Sequence, residues 1–246
     1  MNPIILIPSR LQSTRLPNKP LALILGKPMI LRVWEQAVKS KIGPVVVACC
    51  SESIKNIIED AGGRAILTDP DHPSGTDRIH EALTIVDSKG THDTIIGLQG
   101  DLPTIDPQMI HEILVPFKKM PNIDMSTLAA KVVCERDAQD PNSPKVVIAF
   151  EGEEDFGRAL YFSRATIPYG DGILYHHIGL YGYTRKALDR FVSLRPSPLE
   201  KRERLEQLRA LENGMTIGIK VVKSIPQGVD VADDIHKAEQ HLKIVQ

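Results

Sequence analysis

The sequence predicts an α/β fold, built on a mixed but mostly parallel sheet with helices on both faces and a small β-rich extension. In the first half of the chain, continuous apolar runs alternate with amphipathic helix patterns, as in doubly wound parallel sheets. In the second half, strand-like runs follow one another across turns, which favours some antiparallel pairing. No repeat or linker interrupts the chain, so we predict a single domain over 1–246 with rough halves at 1–115 and 116–246.

The first half contains four strand-like runs and three helix patterns. The strands cover about 3–8, 44–50, 64–68 and 93–101, and the helices 29–41, 51–63 and 77–89. Ligands of doubly wound sheets bind outside the carboxyl ends of the strands. We therefore expect the loops that follow these strands to share one crevice. They begin after Ile7, Cys50, Thr68 and Leu98.

The second half reads as a sheet with two helices. Strand-like runs cover 125–133, 145–150, 159–169, 176–183 and 217–223. A helix is predicted over 197–214, since Ser197 can cap its start, Pro198 suits the first helical position and Asn213-Gly214 can end it. The last helix is predicted over 230–245.

Composition excludes several classes of function. Thirty basic and 31 acidic residues give a net charge of −1, so net charge favours neither nucleic-acid nor membrane-surface binding. No apolar run is long enough to cross a membrane, and the N-terminus lacks a signal-peptide pattern. Cys49, Cys50 and Cys134 have no zinc-ligand spacing and are expected to be reduced, which favours a cytoplasmic protein.

A cationic loop follows the first strand. Arg10, Arg15 and Lys19 lie there among three prolines, and no glycine is present. Three cations at a strand end suit a polyphosphate, and prolines reduce the entropy lost when the loop orders around an anion. A solvated loop whose cations pair with nearby carboxylates would have the same composition. The position of the loop favours function. Neither of the glycine-rich nucleotide motifs occurs.

Two aspartates are candidate magnesium ligands. Asp101 directly follows a buried strand, where a carboxylate beside phosphates suits Mg²⁺. Asp230 lies before the last helix, and its spacing also fits an N-cap supported by Asp233. The two roles of Asp230 can coexist.

Eight motifs resemble one enzyme family in order along essentially the whole chain. They are IPSRLQSTRLPNKPL, GKPMI, DHPSGTDRI, LQGDLPTI, YFSRATIPY, HIGLYGY, PSPLEKRERLEQLR and GVDVADDI. This set resembles the 3-deoxy-manno-octulosonate (Kdo) cytidylyltransferases, also called CMP-Kdo synthetases. The resemblance implies a Rossmann-like nucleotide-diphospho-sugar transferase fold and a homodimer. It also implies magnesium-dependent transfer of CMP from CTP to the anomeric hydroxyl of Kdo, with release of pyrophosphate, for lipopolysaccharide synthesis.

The resemblance also implies roles for individual residues. Those at the nucleotide would be Arg10, Ser13, Arg15, Lys19, Ser74, Gly75, Thr76, Arg78 and Gln99. Those at the metal would be Asp101 and Asp230, which with Arg10, Arg15 and Lys19 form the catalytic set. Those at Kdo would be Gln99, Arg164, His177, Tyr181, Glu206 and Gln207. Without the resemblance, Glu206 and Gln207 would pass as the solvent-facing side of the predicted helix.

Two other functions remain open at this level. A related cytidylyltransferase acting on a sialic acid or on 8-amino-Kdo could use the same phosphate loop. A non-catalytic nucleotide-binding module could keep the pocket, although the presence of Lys19, Asp101 and Asp230 together argues against it. The chain departs from the family where Leu102 replaces a common acid beside Asp101.

Overall fold

The computed structural model describes residues 1–13, 15–150, 152 and 154–245. The chain divides into two compact units, Met1–His111 with Pro226–Gln246 (unit 1) and Glu112–Ile225 (unit 2). The two-half division predicted from the sequence differs in one respect, since it left the C-terminal segment with the second half. The single domain over 1–246 stays a prediction.

Unit 1 is built on a parallel sheet. Along the chain its elements are β1 (Pro3–Ser9), a 3₁₀ turn (Lys19–Leu21), β2 (Leu23–Ile24), β3 (Lys27–Pro28), α1 (Met29–Ser40), β4 (Val45–Cys49), α2 (Glu52–Asp60), β5 (Arg64–Leu67), α3 (Gly75–Val86), β6 (Thr94–Gly97) and, at the unit boundary, α4 (Pro107–Glu112). The strand order is β5-β4-β1-β6, and every pairing is parallel. Strand β1 is central, and the side chains of Ile4 to Ile7 are all buried, as expected for a strand covered on both faces.

Unit 2 is mainly antiparallel. Its elements are α5 (Val115–Lys119), β7 (Met125–Lys131), α6 (Glu135–Gln139), β8 (Lys145–Phe150), β9 (Phe156–Ser163), β10 (Tyr175–Thr184), α7 (Arg185–Ser193), α8 (Pro198–Glu203), α9 (Leu208–Glu212) and β11 (Ile217–Val222). The strand order is β10-β7-β11-β9-β8, and β7 with β11 is its parallel pair. The contrast between the two units confirms the predicted fold class, a mostly parallel sheet with a β-rich extension.

An irregularity in β10 positions two of the predicted sugar-binding side chains. His177 lies opposite Ala129 of β7, but the register then shifts, so that Tyr181 lies opposite Thr127. A bulge of this kind changes the direction of side chains along a strand. His177 and Tyr181 therefore lie opposite alternate residues of β7, and their ring centroids are 5.5 Å apart.

The helix predicted over 197–214 is wrong, because the structure has two helices there. Ser197 does begin α8 with a capping box to Glu200, as expected. Arg204, however, has φ +55°, a left-handed conformation that ends α8. The Arg204 carbonyl accepts a hydrogen bond from Arg164 Nη2 at 3.2 Å, a tertiary contact that accompanies the break. Strand β9 likewise ends at Ser163 rather than at residue 169.

The C-terminal segment is attached to unit 1 by an apolar cluster. Helix α10 (Ala232–Val245) contributes Ala238 and Leu242, which pack with Ile24, Met29 and Val229. The predicted N-cap role of Asp230 is wrong. The carboxylate of Asp234 instead accepts from the backbone N–H groups of Asp230 and Val231, at 3.1 and 3.2 Å.

Candidate active site

A polar pocket of about 720 Å³ lies in unit 1, at the carboxyl ends of β1 and β6. Its wall is formed by Pro8, Ser9, Arg10, Gln12, Ser13, Arg15, Lys19, Pro20, Met29, His72, Ser74, Gly75, Arg78, Gln99, Gly100, Asp101 and Asp230. Every residue predicted to bind nucleotide or metal is in this wall except Thr76, which is buried in the first turn of α3. Three of the four loops expected to share a crevice line this pocket, those after Ile7, Thr68 and Leu98, whereas the loop after Cys50 contributes no wall residue.

Lys19 joins the two predicted metal ligands. Its ammonium nitrogen lies 2.7 Å from Asp101 Oδ2 and 2.8 Å from Asp230 Oδ1. The guanidinium of Arg15 also reaches Asp230 Oδ1, with Nη2 at 3.1 Å. Two carboxylates that lie 82 and 211 positions after Lys19 in the sequence therefore converge on its ammonium group.

Lys19 stays charged because of these partners. Burial acts to lower its pKa, but the charges and hydrogen bonds of Asp101 and Asp230 outweigh burial and raise the pKa above its ordinary value. The Lys19 side chain is 14% exposed, whereas those of Asp101 and Asp230 are 35% and 51% exposed. The carboxylates can therefore be reached from solvent while the ammonium is largely enclosed.

Backbone contacts hold the two carboxylates in place. The Val229 N–H donates to the Asp101 carbonyl at 3.0 Å, which ties the two aspartate-bearing loops together. Gly100 lies against β1, where a Cβ atom would be only 2.8 Å from the Pro8 carbonyl oxygen. Any residue other than glycine would push the Asp101 loop away from β1.

The other predicted nucleotide residues surround the start of α3. The Ser74 hydroxyl caps this helix, accepting from the N–H groups of Thr76 and Asp77 at 3.1 and 3.2 Å. A Cβ atom on Gly75 would lie 3.2 Å from Pro8 Cγ. The helix start is therefore packed closely against the end of β1.

Arg78 lines the pocket, but its hydrogen bonds serve the loop after β5. Its guanidinium donates to Thr68 Oγ1 at 2.6 Å and to the carbonyls of Asp69 and Pro70 at 2.9 and 3.3 Å. Arg78 is 2% exposed. These contacts hold the pocket wall in place.

The sequence interpretation missed several wall residues, including Ser9, Gln12 and His72. Each of them lies inside a motif that was singled out, either the cationic loop or DHPSGT. The His72 ring nitrogen Nε2 lies 2.5 Å from Glu81 Oε2 of α3. The available signal for these side chains was their place at the end of β1 or in the loops that follow β1 and β5, rather than their residue type.

The donor set of the pocket fits a hard cation. Within the described ranges, no group of three or more His, Cys, Asp or Glu residues could hold a metal. Asp101 and Asp230 nevertheless direct one oxygen each to the same ammonium. Mg²⁺ is typically bound by one or two carboxylates with phosphate oxygens and water. Two converging carboxylates beside a cationic loop match that requirement.

The five predicted sugar-binding residues other than Gln99 lie in unit 2, where His177 is fully enclosed. Its Nε2 lies 3.0 Å from Thr127 Oγ1, and this hydroxyl lies within 3.0 Å of the carbonyls of Ile178 and Leu180. Because the threonine proton goes to a carbonyl, the threonine oxygen accepts from Nε2–H. Nδ1 is then the acceptor for the Gln207 amide at 3.5 Å. Burial lowers the pKa of His177 to about 3, so the ring is neutral.

Aromatic rings surround this histidine. Phe162 meets it edge-on, with ring centroids 4.9 Å apart, and Tyr181 lies on another side. Burial, with the neighbouring Tyr183 and the charge of Glu206, raises the pKa of the Tyr181 phenol well above its ordinary value. Tyr181 is therefore a neutral hydroxyl that can donate or accept a hydrogen bond.

Arg164 and the 206–207 turn complete the predicted set. The Arg164 guanidinium donates to the carbonyls of Glu203 and Pro141 at 2.8 Å each, in addition to Arg204. Glu206 Oε1 lies 4.0 Å from Arg209 Nη2. Gln207 is 4% exposed, so the solvent-facing alternative is wrong for this residue. The break at Arg204 accounts for this, because both residues lie in a turn between α8 and α9.

Comparison with known proteins places the chain in a family. A family model described as Cytidylyltransferase matches residues 4–217. The 3-deoxy-manno-octulosonate cytidylyltransferase of Rhodospirillum centenum is 53% identical over 237 residues, or 96% of this chain and 92% of that protein. The chain belongs to the cytidylyltransferase family.

Further members agree with this assignment. The cytidylyltransferase of the same name from Paramagnetospirillum magneticum is 50% identical over 99% of this chain and 98% of its own length. A solved structure of CMP:2-keto-3-deoxy-manno-octonic acid synthetase complexed with CTP has a TM-score of 0.91, with 34% identity and full coverage of both chains. A cytidylyltransferase from Leptospira borgpetersenii, 16% identical with a TM-score of 0.64, shares the fold.

Two further findings on this cytidylyltransferase chain concern membrane-spanning helices and cysteines. No helix in the described part of the chain is long and apolar enough to cross a membrane. The three cysteines are free thiols. Cys49 is buried and Cys134 is exposed.

Proposed function

We propose that this chain transfers CMP from CTP to the anomeric hydroxyl of Kdo, giving CMP-Kdo and pyrophosphate, with Mg²⁺ as cofactor. One structural observation carries the proposal, the convergence of Lys19, Asp101 and Asp230 in a pocket edged by Arg10 and Arg15. The family membership and the relatives named above support Kdo as the acceptor.

The cations of unit 1 are proposed to bind the triphosphate. Arg10 and Arg15 are exposed at the pocket, where guanidinium groups can grip phosphate oxygens with two hydrogen bonds each. Lys19 is more enclosed and carries a compact charge. We assign Lys19 to the α-phosphate, where negative charge shifts during the reaction. Ser13, Ser74, Gly75, Thr76, Arg78 and Gln99 complete the proposed nucleotide site.

Asp101 and Asp230 are proposed to hold the magnesium ion. When bound, Mg²⁺ would neutralise charge on the phosphate oxygens and help the pyrophosphate leave. Lys19 contacts one oxygen of each carboxylate, Asp101 Oδ2 and Asp230 Oδ1. The second oxygen of each carboxylate would be available to the ion, beside the positive charge that Lys19 supplies.

The chemical step is an in-line displacement. The C2 hydroxyl oxygen of Kdo forms a bond to the α-phosphorus of CTP, the bond from that phosphorus to the bridging oxygen breaks, and pyrophosphate departs. Catalysis then consists of positioning and charge stabilisation, and we assign no general base to a side chain.

Unit 2 is proposed to recognise Kdo. Tyr181 and Gln207 offer neutral hydrogen-bonding groups suited to sugar hydroxyls, and His177, whose ring nitrogens are bonded to Thr127 and Gln207, would hold Gln207 in position. Arg164 and Glu206 lie in the same part of the chain. Gln99 would contribute from the nucleotide side.

We also propose that the chain forms a homodimer, which sedimentation would test. We further propose a cytoplasmic location, where CTP is available.

The function is tested by pyrophosphate release in the presence of CTP and Mg²⁺, with Kdo, 8-amino-Kdo or a sialic acid as the acceptor. We expect release with Kdo, no release without an acceptor, and loss of release for Asp101→Ala. Release with another acid alone would keep the chemistry and change the substrate. A folded protein that binds CTP and is inactive with all three acids would favour a nucleotide-binding module.

A further inference from the structure

Ser9, the last residue of β1, has a buried hydroxyl without a partner. The residue is 5% exposed and lies in the wall of the nucleotide pocket. Its Oγ atom is buried and makes no hydrogen bond to any described residue. Buried hydroxyls are nearly always hydrogen-bonded, so an exception requires an explanation.

The other buried serines follow that rule. Ser40 donates to the Ala37 carbonyl at 2.6 Å, and Ser126 to the Ile113 carbonyl at 2.7 Å. Ser163 donates to Glu203 Oε1 at 2.8 Å, and Ser197 to the Glu212 carboxylate. Within the described ranges, Ser9 differs from these serines in lacking a partner and in belonging to the wall of the pocket.

Part of the pocket wall beside the end of β1 is uncharged. Pro8, which precedes Ser9, lies against Gly75 at the start of α3 and against Gly100. Gln99, at the end of the neighbouring strand β6, lines the same pocket. These wall residues are uncharged, whereas Arg15, Lys19 and the two aspartates form the ionic end. An uncharged hydroxyl matches the uncharged polar atoms of a nucleoside better than it matches phosphate, for which cations are present.

We propose that the Ser9 hydroxyl binds the nucleoside part of CTP, at a ribose hydroxyl or at the polar edge of cytosine. This inference rests on the proposed function, because it takes CTP as the occupant of the pocket. The hydroxyl can donate one hydrogen bond and accept two. It acts as a positioning residue that gains its partner only when the nucleotide enters.

The test is Ser9→Ala in the full-length chain. We expect the KM and the equilibrium Kd for CTP to rise about 3- to 10-fold, the range for loss of one neutral hydrogen bond. The kcat value and the KM for Kdo should stay near wild type. Inorganic pyrophosphate should bind the variant as it binds the wild type. The ligand-free variant should melt at the wild-type temperature or above it, because no protein hydrogen bond is lost.

Ser126→Ala is the matched control, since Ser126 is equally buried but bonded within unit 2. It should lower the melting temperature and leave the Kd for CTP unchanged.

Nucleotide analogues identify which group of CTP the Ser9 hydroxyl contacts. For 2′-deoxy-CTP, 3′-deoxy-CTP or UTP, the penalty of Ser9→Ala should vanish with the analogue that lacks the group Ser9 binds.

Three results would overturn the inference, namely a wild-type Kd for CTP in Ser9→Ala, weaker binding of pyrophosphate, or a lower melting temperature with unchanged CTP binding. Failure of the proposed function is distinguishable from all three. In that case the wild-type chain would release no pyrophosphate, while the ratio of CTP dissociation constants between wild type and Ser9→Ala would still report on Ser9.

Discussion

The ionic end of the pocket in unit 1 and the cluster around His177 in unit 2 differ in the charge state of their buried titratable group. Lys19 keeps its charge because two carboxylates lie within 2.8 Å of its ammonium. His177 loses its charge because burial lowers its pKa and its partners, a hydroxyl and an amide, supply no opposite charge. An opposite charge within hydrogen-bonding distance, rather than burial alone, decides which form each group takes.

Lys145 of unit 2 supports the same conclusion with the same residue type. It is fully buried, and its ammonium donates to the Asp140 carbonyl at 2.8 Å. Burial lowers the pKa of Lys145, whereas Lys19 with its carboxylates has a raised pKa. Unit 1 is therefore suited to a polyphosphate and a metal ion, and the cluster in unit 2 to uncharged sugar hydroxyls.

The largest effect should come from removing the Lys19 charge. We expect Lys19→Met to lower kcat by about 10³-fold, the upper range for loss of one preorganised electrostatic contact. Pyrophosphate release measures this effect. Lys27→Met is the control, because Lys27 forms an ion pair with Glu35 at 2.6 Å and is outside the pocket wall. Equal losses in the two variants would contradict the role of Lys19.

The carboxylates should come next. Asp101→Asn should lower kcat/KM by about 10²-fold and raise the Mg²⁺ concentration needed for half-maximal rate, because a neutral amide is a weaker metal ligand. A Mg²⁺ titration of pyrophosphate release measures both. Asp93→Asn changes a carboxylate that bonds Asn2 and Thr94 and should leave the titration unchanged. An unaltered Mg²⁺ requirement in Asp101→Asn would remove this residue from the metal site.

Acid should lower the free energy of unfolding, because His177 is neutral in the folded chain. The native pKa of about 3 lies below the ordinary value of 6.5, so between these values the unfolded chain binds a proton that the folded chain does not. The stabilisation is complete above pH 6.5 and is lost as pH falls towards 3. Relative to His177→Gln, the wild type should lose about 1.4 kcal/mol of unfolding free energy per pH unit between pH 6 and 4. Urea titrations at several pH values measure this slope, and parallel curves would contradict it.

The smallest effect should be on sugar binding. We expect His177→Gln to raise the KM for Kdo about 10-fold, because the ordered contacts to Thr127 and Gln207 are lost. The KM for CTP should not change. His176→Gln alters the neighbouring residue of β10, which lies opposite Ala130 and is not in the predicted Kdo-binding set, and it should leave both values unchanged. A change in the KM for CTP alone would contradict the assignment of Kdo, rather than CTP, to the cluster around His177.

The sequence predicted the parallel sheet and the cationic loop well, because both depend on local patterns. The family resemblance assigned Lys19 to the phosphates and Asp230 to the metal, but it did not predict their ion pair across 211 positions, since no spacing rule spans that distance. The Asp230 cap was wrong because the Asp230 carboxylate contacts Lys19 instead, while Asp234 accepts from the N–H groups of Asp230 and Val231 at the start of α10. Tertiary contacts also accompany the break of the 197–214 helix at Arg204 and the hydrogen bonds from the Arg78 and Arg164 guanidinium groups to backbone carbonyls. Such contacts cannot be read from periodicity.

The most direct test of the division between the units is equilibrium binding of CTP with Mg²⁺, measured by calorimetry for wild type, Lys19→Met and His177→Gln. We expect CTP binding to be at least about 10-fold weaker for Lys19→Met, because a charged contact is lost, and we expect a wild-type Kd for His177→Gln. Unchanged binding in Lys19→Met, or weakened binding in His177→Gln, would contradict the assignment of the nucleotide to unit 1.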